Sequence, residues 1–251
     1  WRLETATSST LSTERPTACA ASPIRFRIKS RFAEISSLML IRSPYALGSR
    51  LAISAERLFA DVSFGLPRLW VLTDPQRHAD PLDLLMRAPP ESALIYRHFG
   101  TEDRYRTARR MRNITRNRNI IFLVSSDLAL ARSVGADGVH WPERMLVQAH
   151  SARARGAMEI FTCSAHSEAA IHKAERAGVD AALVSSVFPS RSPSAGIPVT
   201  PRRVALLARR QPLPLIALGG VHKKTLGRLA NRGLSGCAMI GGIRNEQTTR
   251  I

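Results

Sequence analysis

Two glycine pairs, one histidine-bearing turn and one hydroxyl-rich loop carry the chemistry that this sequence can offer. Gly219-Gly220 and Gly241-Gly242 each follow a short apolar run. Glycine lets backbone N–H groups approach an anion closely, and a helix start just beyond adds a favourable dipole. Both pairs therefore suit a phosphate group, and a pair of tight turns is the plain alternative. Thr162-Cys163-Ser164-Ala165-His166-Ser167 closes another apolar run. A histidine titrates near neutral pH, so His166 can move a proton to or from a substrate atom. Ser167 followed by Glu168 also reads as a helix cap with His166 merely beside it. The stretch from Ser185 to Pro193 offers Ser190, Ser192 and Arg191, groups that bind phosphate or carboxylate, or else an ordinary solvated loop. Arg97 could clamp an anion, with His98 next to it. His140 reads as a hydrogen-bonded residue at a strand end, a structural role.

These residues need a frame that gathers distant segments at one place. From Arg68 onward, short apolar runs alternate with amphipathic segments. The runs predict strands at Leu69–Leu72, Ala93–Tyr96, Ile120–Val124, Gly138–Trp141, Met158–Thr162, Ala181–Val187, Leu215–Leu218 and Cys237–Ile240. Helices are predicted over Glu102–Asn117, Leu128–Val134, Glu168–Ala177, Pro201–Arg210 and Lys224–Asn231. Nearly continuous apolar runs of about four to eight residues are what strands buried on both faces look like. Repeated strand–helix alternation implies a parallel sheet, and this many strands over 68–251 favour a closed (β/α)8 TIM barrel, an α/β fold. The active site of such a barrel lies at the carboxyl ends of its strands, where the residues above fall. No GxGxxG or GxxxxGK[ST] pattern supports a dinucleotide fold or a P-loop.

Residues 1–67 do not conform to this pattern. They are rich in Ser, Thr and Arg, poor in acid, and begin at Trp1. They read as a disordered extension or translated upstream sequence rather than a transit peptide, ahead of a barrel over 68–251. At 44% hydrophobic and 22% charged, the composition is that of an ordinary globular protein, and no run is long enough to span a membrane. The net charge of +18 is mostly Arg, scattered over predicted helix faces. That pattern fits composition bias plus a phosphorylated ligand better than a nucleic-acid surface. Cys19, Cys163 and Cys237 are far apart and lack metal-ligand spacing, which suggests a reducing compartment and a cytoplasmic protein. Cys163 and Cys237 lie in apolar runs and read as small buried hydrophobes.

Five segments in order, GADGVHWPE (Gly135–Glu143), SAHSEAA (Ser164–Ala170), AGVDAALVSSVFPSRS (Ala177–Ser192), PLIALGGV (Pro214–Val221) and GCAMIGGI (Gly236–Ile243), give the chain its resemblance to the thiamine-phosphate synthase and thiazole tautomerase family. That family's synthases join a pyrimidine pyrophosphate to a thiazole phosphate and release pyrophosphate with help from Mg2+. Its tautomerases bind the same thiazole phosphate and shift a proton to make the ring aromatic. By this resemblance Gly219, Gly220, Ile240 and Gly241 match the thiazole-phosphate loops. Ser164, Ser190 and Ser192 match hydroxyl positions around the ligand, Arg97 matches an anion-binding arginine, and His166 matches the tautomerase acid/base.

The chain also departs from the synthase pattern. Of the Gln-x-Arg-x-Lys motif after the second strand only Arg97 survives, within Ile95-Tyr96-Arg97-His98-Phe99. Ser125-Ser126 stands in place of Asn-Asp, with Asp127 one residue later. An acidic position falls on Met145, and the sixth-loop lysine falls on Pro193. The resemblance thus implies a thiazole-phosphate-binding barrel, closer to the tautomerases, with no metal ligands assigned. Active synthase chemistry, with Mg2+ and a pyrimidine pyrophosphate, is the alternative, and a silent ligand-binding homologue is another. The expected partners are these small molecules and a second copy of the chain, with no nucleic acid and no membrane.

Overall fold

The computed structural model describes residues 46–59, 65–77, 80–100, 102–190 and 197–240, with side chains from residue 52 onward. Cys19, Arg191, Ser192, Pro193, Gly241 and Gly242 lie outside the described residues.

Eight parallel strands close into a barrel: β1 (Leu69–Leu72), β2 (Ala93–Tyr96), β3 (Ile121–Ser125), β4 (Gly138–Trp141), β5 (Ile160–Ala165), β6 (Ala181–Val184), β7 (Leu215–Ala217) and β8 (Gly236–Met239). Strand β8 returns to β1, with Trp70 opposite Ala238. Side chains alternate across each strand. One set, including Trp70, Leu72, Ile95, Leu123, Leu183 and Ile216, fills the barrel. The other, including Val71, Tyr96, Phe122, Phe161, Cys163 and Cys237, faces the helices. Burial on both faces explains the continuous apolar runs. It also pushes the Cys163 and Cys237 thiols up to about 12, so both behave as small apolar groups.

The helices are α1 (Ala46–Leu58), α2 (Pro81–Arg87), α3 (Arg104–Asn117), α4 (Leu128–Val134), α5 (Leu146–Ala154), α6 (Glu168–Arg176), α7 (Pro201–Arg210) and the single turn α8 (Lys223–Leu226). Three of these were not expected from the sequence. Helix α2 has a start signal, Asp80 capping Leu82 N at 2.8 Å with Pro81 in the first turn. It is too short to show a period. Helix α5 follows a 3-10 turn over Glu143–Met145 that blurs its beginning. Helix α1 lies within the 1–67 stretch where no element was expected. Ala55 and Phe59 are buried in the outer core, and Leu58 packs against it. Conversely, the helix expected over Lys224–Asn231 stops at Leu226, and a 3-10 turn runs from Gly227 to Leu229. Glycine is a poor helix former and ends the α conformation there.

Two ion-pair clamps lock the foot of the barrel, at the amino ends of the strands. Arg112 of α3 holds Asp137 through both guanidinium nitrogens, at 2.7 and 2.9 Å, and both side chains are buried. Asp137 also accepts the Phe122 amide of β3 at 2.8 Å. The same device recurs two strands on. Arg153 of α5 pairs with Asp180, which accepts the Phe161 amide of β5 at 2.8 Å. Each carboxylate thus ties a strand start to a helix.

Candidate active site

At the other end, the side-chain alternation that fills the barrel also builds the floor of a cavity of about 800 Å3. Continuing each inward series to its last member gives Leu72 on β1, Arg97 beyond β2, Ser125 on β3 and His140 on β4. The other four strands give Ser164, Ser185, Leu218 and Ile240. All eight line the cavity. The site is therefore the top layer of the barrel interior, made polar on one side.

His140 is at the centre of that polar side. Its Nδ1 is hydrogen-bonded to Thr162 Oγ1 at 2.9 Å, and its Nε2 to Ser164 Oγ at 3.0 Å. Burial and the nearby Arg97 cation bring its pKa down to about 3, so the ring is neutral at physiological pH. The structural role expected for His140 agrees with this bonding, and the ring also lines the cavity. Arg97 has its own affinity for protons lowered, chiefly by burial. Asp74, which opposes that shift, is ion-paired to Arg77 instead. Among the described residues the Arg97 guanidinium makes no ion pair, so a cation faces the cavity without a counter-charge. His98, beside it, turns away: it is buried, stacked on Tyr96 and hydrogen-bonded to Thr73.

His166 follows β5 and is exposed at the cavity rim. Its Nδ1 is 3.2 Å from both Ser185 O and Ser185 Oγ, and its backbone N–H donates to Glu143 Oε2 at 3.2 Å. A carbonyl only accepts, so the tautomer assigned from Ser185 O has Nδ1 protonated and the lone pair on Nε2. The cap beside it is real as well: Ser167 Oγ accepts the Ala170 amide at 3.1 Å and starts α6. Ser167 caps the helix, and His166 beside it faces the cavity rim.

Strand β6 was expected to run to Val187 but ends at Val184. The chain then crosses toward β7, where the Val187 amide donates to Leu218 O at 2.9 Å and the Phe188 amide to Gly219 O at 3.1 Å. This brings Ser186 and Ser190 to the cavity wall beside Gly219. A side chain at Gly219, whose φ is +91°, would come within 2.4 Å of Ser186 Oγ. At Gly220, with φ +62°, it would meet Pro189 O at 2.5 Å. Both positions require glycine twice over, for backbone conformation and for space. Among the described residues neither glycine amide donates a hydrogen bond, which leaves donors available to an anion.

Of the residues singled out in the sequence, Arg97, Ser164, His166, Ser190, Gly219 and Ile240 line one cavity. Gly220 lies behind it against Phe188 and Pro189. Ser192 and Gly241 lie outside the described residues. Ser185 and Ser186, which belong to the hydroxyl-rich stretch read from the sequence, and Glu143 also line the cavity, while sequence reading missed Ser125 and Lys173 as cavity residues. The inward alternation was a sufficient signal for Ser125. Lys173 is placed by helix geometry that no short-range pattern encodes.

The family model for "Thiamine monophosphate synthase" matches residues 70–243. The chain belongs to this family. A thiamine-phosphate synthase of Chlorobium luteolum is 30% identical over 187 residues, which cover 72% of this chain and 87% of the relative. One from Prochlorococcus marinus is 27% identical over 183 residues, covering 71% of this chain and 52% of that longer relative. A solved structure described as thiamine phosphate pyrophosphorylase from Pyrococcus furiosus superposes with a TM-score of 0.58 at 23% identity, covering 69% of this chain and 85% of that one. That last likeness speaks for the barrel alone.

Mg2+ is the metal that the family implies, and the donors at the mouth do not fit it. No group of three or more His, Cys, Asp or Glu side chains able to hold a metal exists among the described residues. Asp127 is consumed: Arg104 NH1 pairs with its Oδ2, while Oδ1 caps α4 by accepting the Leu130 amide at 2.9 Å. Glu143 is the one carboxylate among the cavity-lining residues, and Arg144 and Lys173 line the same rim. A small hard cation wants carboxylate and phosphate oxygens around it, not ammonium and guanidinium groups. No helix among the described residues is long and apolar enough to cross a membrane.

Proposed function

We propose that this barrel binds thiazole phosphate and transfers a proton on it, with His166 as the acid/base. The observation that carries the reading is the placement of His166. It stands exposed at the rim, its Nδ1 is tied to Ser185, and its Nε2 is left as the reactive nitrogen. The phosphate goes to the turn at Gly219-Gly220, with Ser186 and Ser190 beside it and, by resemblance, Gly241. A ring attached to that phosphate extends between His166, Ser164 and Arg97. Neutral His140 holds Ser164 Oγ in place, so the hydroxyl is oriented without adding charge. Arg97, which makes no ion pair among the described residues, then favours an anionic form of the ring or its substituent during proton transfer.

The test supplies the purified protein with the non-aromatic tautomer of thiazole phosphate and follows ring aromatisation by absorbance. His166→Ala should slow it at least about a hundredfold, the usual scale of general acid/base assistance, while thiazole phosphate still binds. A parallel assay adds pyrimidine pyrophosphate with Mg2+ or with chelator. Mg2+-dependent pyrophosphate release would replace this reading by the synthase one. Binding with neither reaction would leave a silent ligand-binding barrel.

A further inference from the structure

Helix α7 carries an arrangement that the cavity does not use. Its buried side is Val204, Ala205 and Leu207. Leu206 stands at the middle of the opposite side, and Arg202, Arg203, Arg209 and Arg210 lie three or four positions before and after it. That spacing puts all five on one helix face. The four arginines are exposed, and Leu206 is 50% exposed in their midst. Among the described residues none of the four is ion-paired. A lone exposed leucine is ordinary, but one framed by four unpaired guanidiniums is a patterned surface.

A basic composition does not by itself produce this pattern. Bias adds arginines without clearing away acids, yet residues 181–240 hold no Asp or Glu. On other helices an acid stands beside an exposed arginine: Arg87 meets Asp83 at 2.8 Å on α2, and Arg106 meets Asp103 at 3.2 Å at the start of α3. Helix α3 is as rich in arginine, but Asn113 and Asn117 lie between its exposed cations. Helix α8, next around the barrel, adds Lys223 and Lys224.

We propose that the outer face of α7 docks an acidic amphipathic helix of another protein, with Leu206 as the apolar anchor and the four arginines as carboxylate clamps. Arginine holds carboxylates through paired hydrogen bonds, and an apolar contact ringed by charged groups is shielded from water. Charge and composition select this occupant. The same face of a second copy would set arginines against arginines. A nucleic-acid duplex presents phosphates, which give Leu206 no partner. A membrane surface takes bulky apolar and aromatic side chains, and residues 189–251 contain no Phe, Tyr or Trp. An acidic helix supplies carboxylates at the same three- and four-residue spacing around an apolar side chain.

The probe is a fluorescein-labelled, alanine-based helical peptide with one central leucine and glutamates three and four positions to either side. Its binding to the full chain is followed by anisotropy at about 0.15 M salt, where distant surface charges are screened. The native protein should bind it. Arg202→Glu with Arg210→Glu should weaken binding at least about a hundredfold, because like charges then face each other. Leu206→Ser should weaken it about tenfold through lost apolar contact. Arg109→Glu with Arg110→Glu on α3 makes the same change in net charge and should cost less than about threefold, since those charges lie beyond the screening distance. All these positions are exposed, and a thermal melt checks that each variant folds. No binding to the native chain would overturn the proposal, as would an equal loss from the α3 reversal or no loss from Leu206→Ser. Tighter binding of a short DNA duplex or of phosphatidylglycerol vesicles, lost in the α7 reversal, would overturn it in favour of a nucleic-acid or membrane face.

Discussion

The two ends of the barrel spend their charges differently. At the foot, the guanidiniums of Arg112 and Arg153 each meet a carboxylate, and that carboxylate also takes a backbone amide from the start of the preceding strand. Among the described residues at the mouth, Arg97 has no ion-pair partner and the Gly219 and Gly220 amides donate no hydrogen bond. The difference teaches how to tell structure from site in this fold. A buried charge with its partners complete is holding elements together, and one left incomplete marks a candidate for ligand binding.

The sharpest way to break the comparison is to remove one foot carboxylate. Asp137→Ala leaves Arg112 buried with no counter-charge and orphans the Phe122 amide. Loss of one member of a buried pair costs roughly 3–5 kcal/mol, so this variant should lose most of its stability in a urea titration. A cost under about 1 kcal/mol would show that the clamp is ornamental. At the mouth, Gly219→Val should destabilise less, by about 1–3 kcal/mol, because Ser186 has a loop in which to move. It should still abolish thiazole phosphate binding in calorimetry. Retained affinity would take the β7 turn out of the site.

The foot and the mouth were not equally legible in the sequence. The barrel could be read because burial on both faces leaves apolar runs that name each strand, and the glycine pairs and His166 follow such runs directly. The clamps could not, since Arg112 and Asp137 are 25 residues apart and look like any two charges on a basic chain. Ser125 could have been read from the inward alternation. Lys173 could not, because a helix face delivers it to the rim. Asp127 misleads in isolation: as a sequence letter it resembles a metal ligand, and only its cap and its Arg104 partner show that its oxygens are taken.

His140 sits between the two regimes, complete in its hydrogen bonds yet lining the cavity, and it sharpens the comparison through pH. Its pKa lies near 3 in the folded chain, against about 6.5 when exposed. Between those values the unfolded chain binds the extra proton and the folded chain does not. Its contribution to stability is therefore whole above about pH 6.5 and is lost as pH falls toward 3, with a limiting slope of about 1.4 kcal/mol per pH unit. Urea titrations of the native protein at pH 8, 6 and 5 should show this decline. His140→Gln should flatten it, because glutamine can bridge Thr162 and Ser164 without titrating. An unchanged slope in the variant would move the proton uptake to another group.

The smallest effect on folding is expected where the site meets solvent. Phe99→Ala removes a half-exposed ring and its contact with Arg104, a cation–π pair worth about 0.5–1 kcal/mol at an exposed position. Arg104 keeps Asp127 and the Ser125 carbonyl, so no buried charge is left bare. The melting temperature should fall by only a few degrees. A large loss of stability would make Phe99 a member of the core. The mouth would then be closer to the foot in construction than the half-exposed ring suggests.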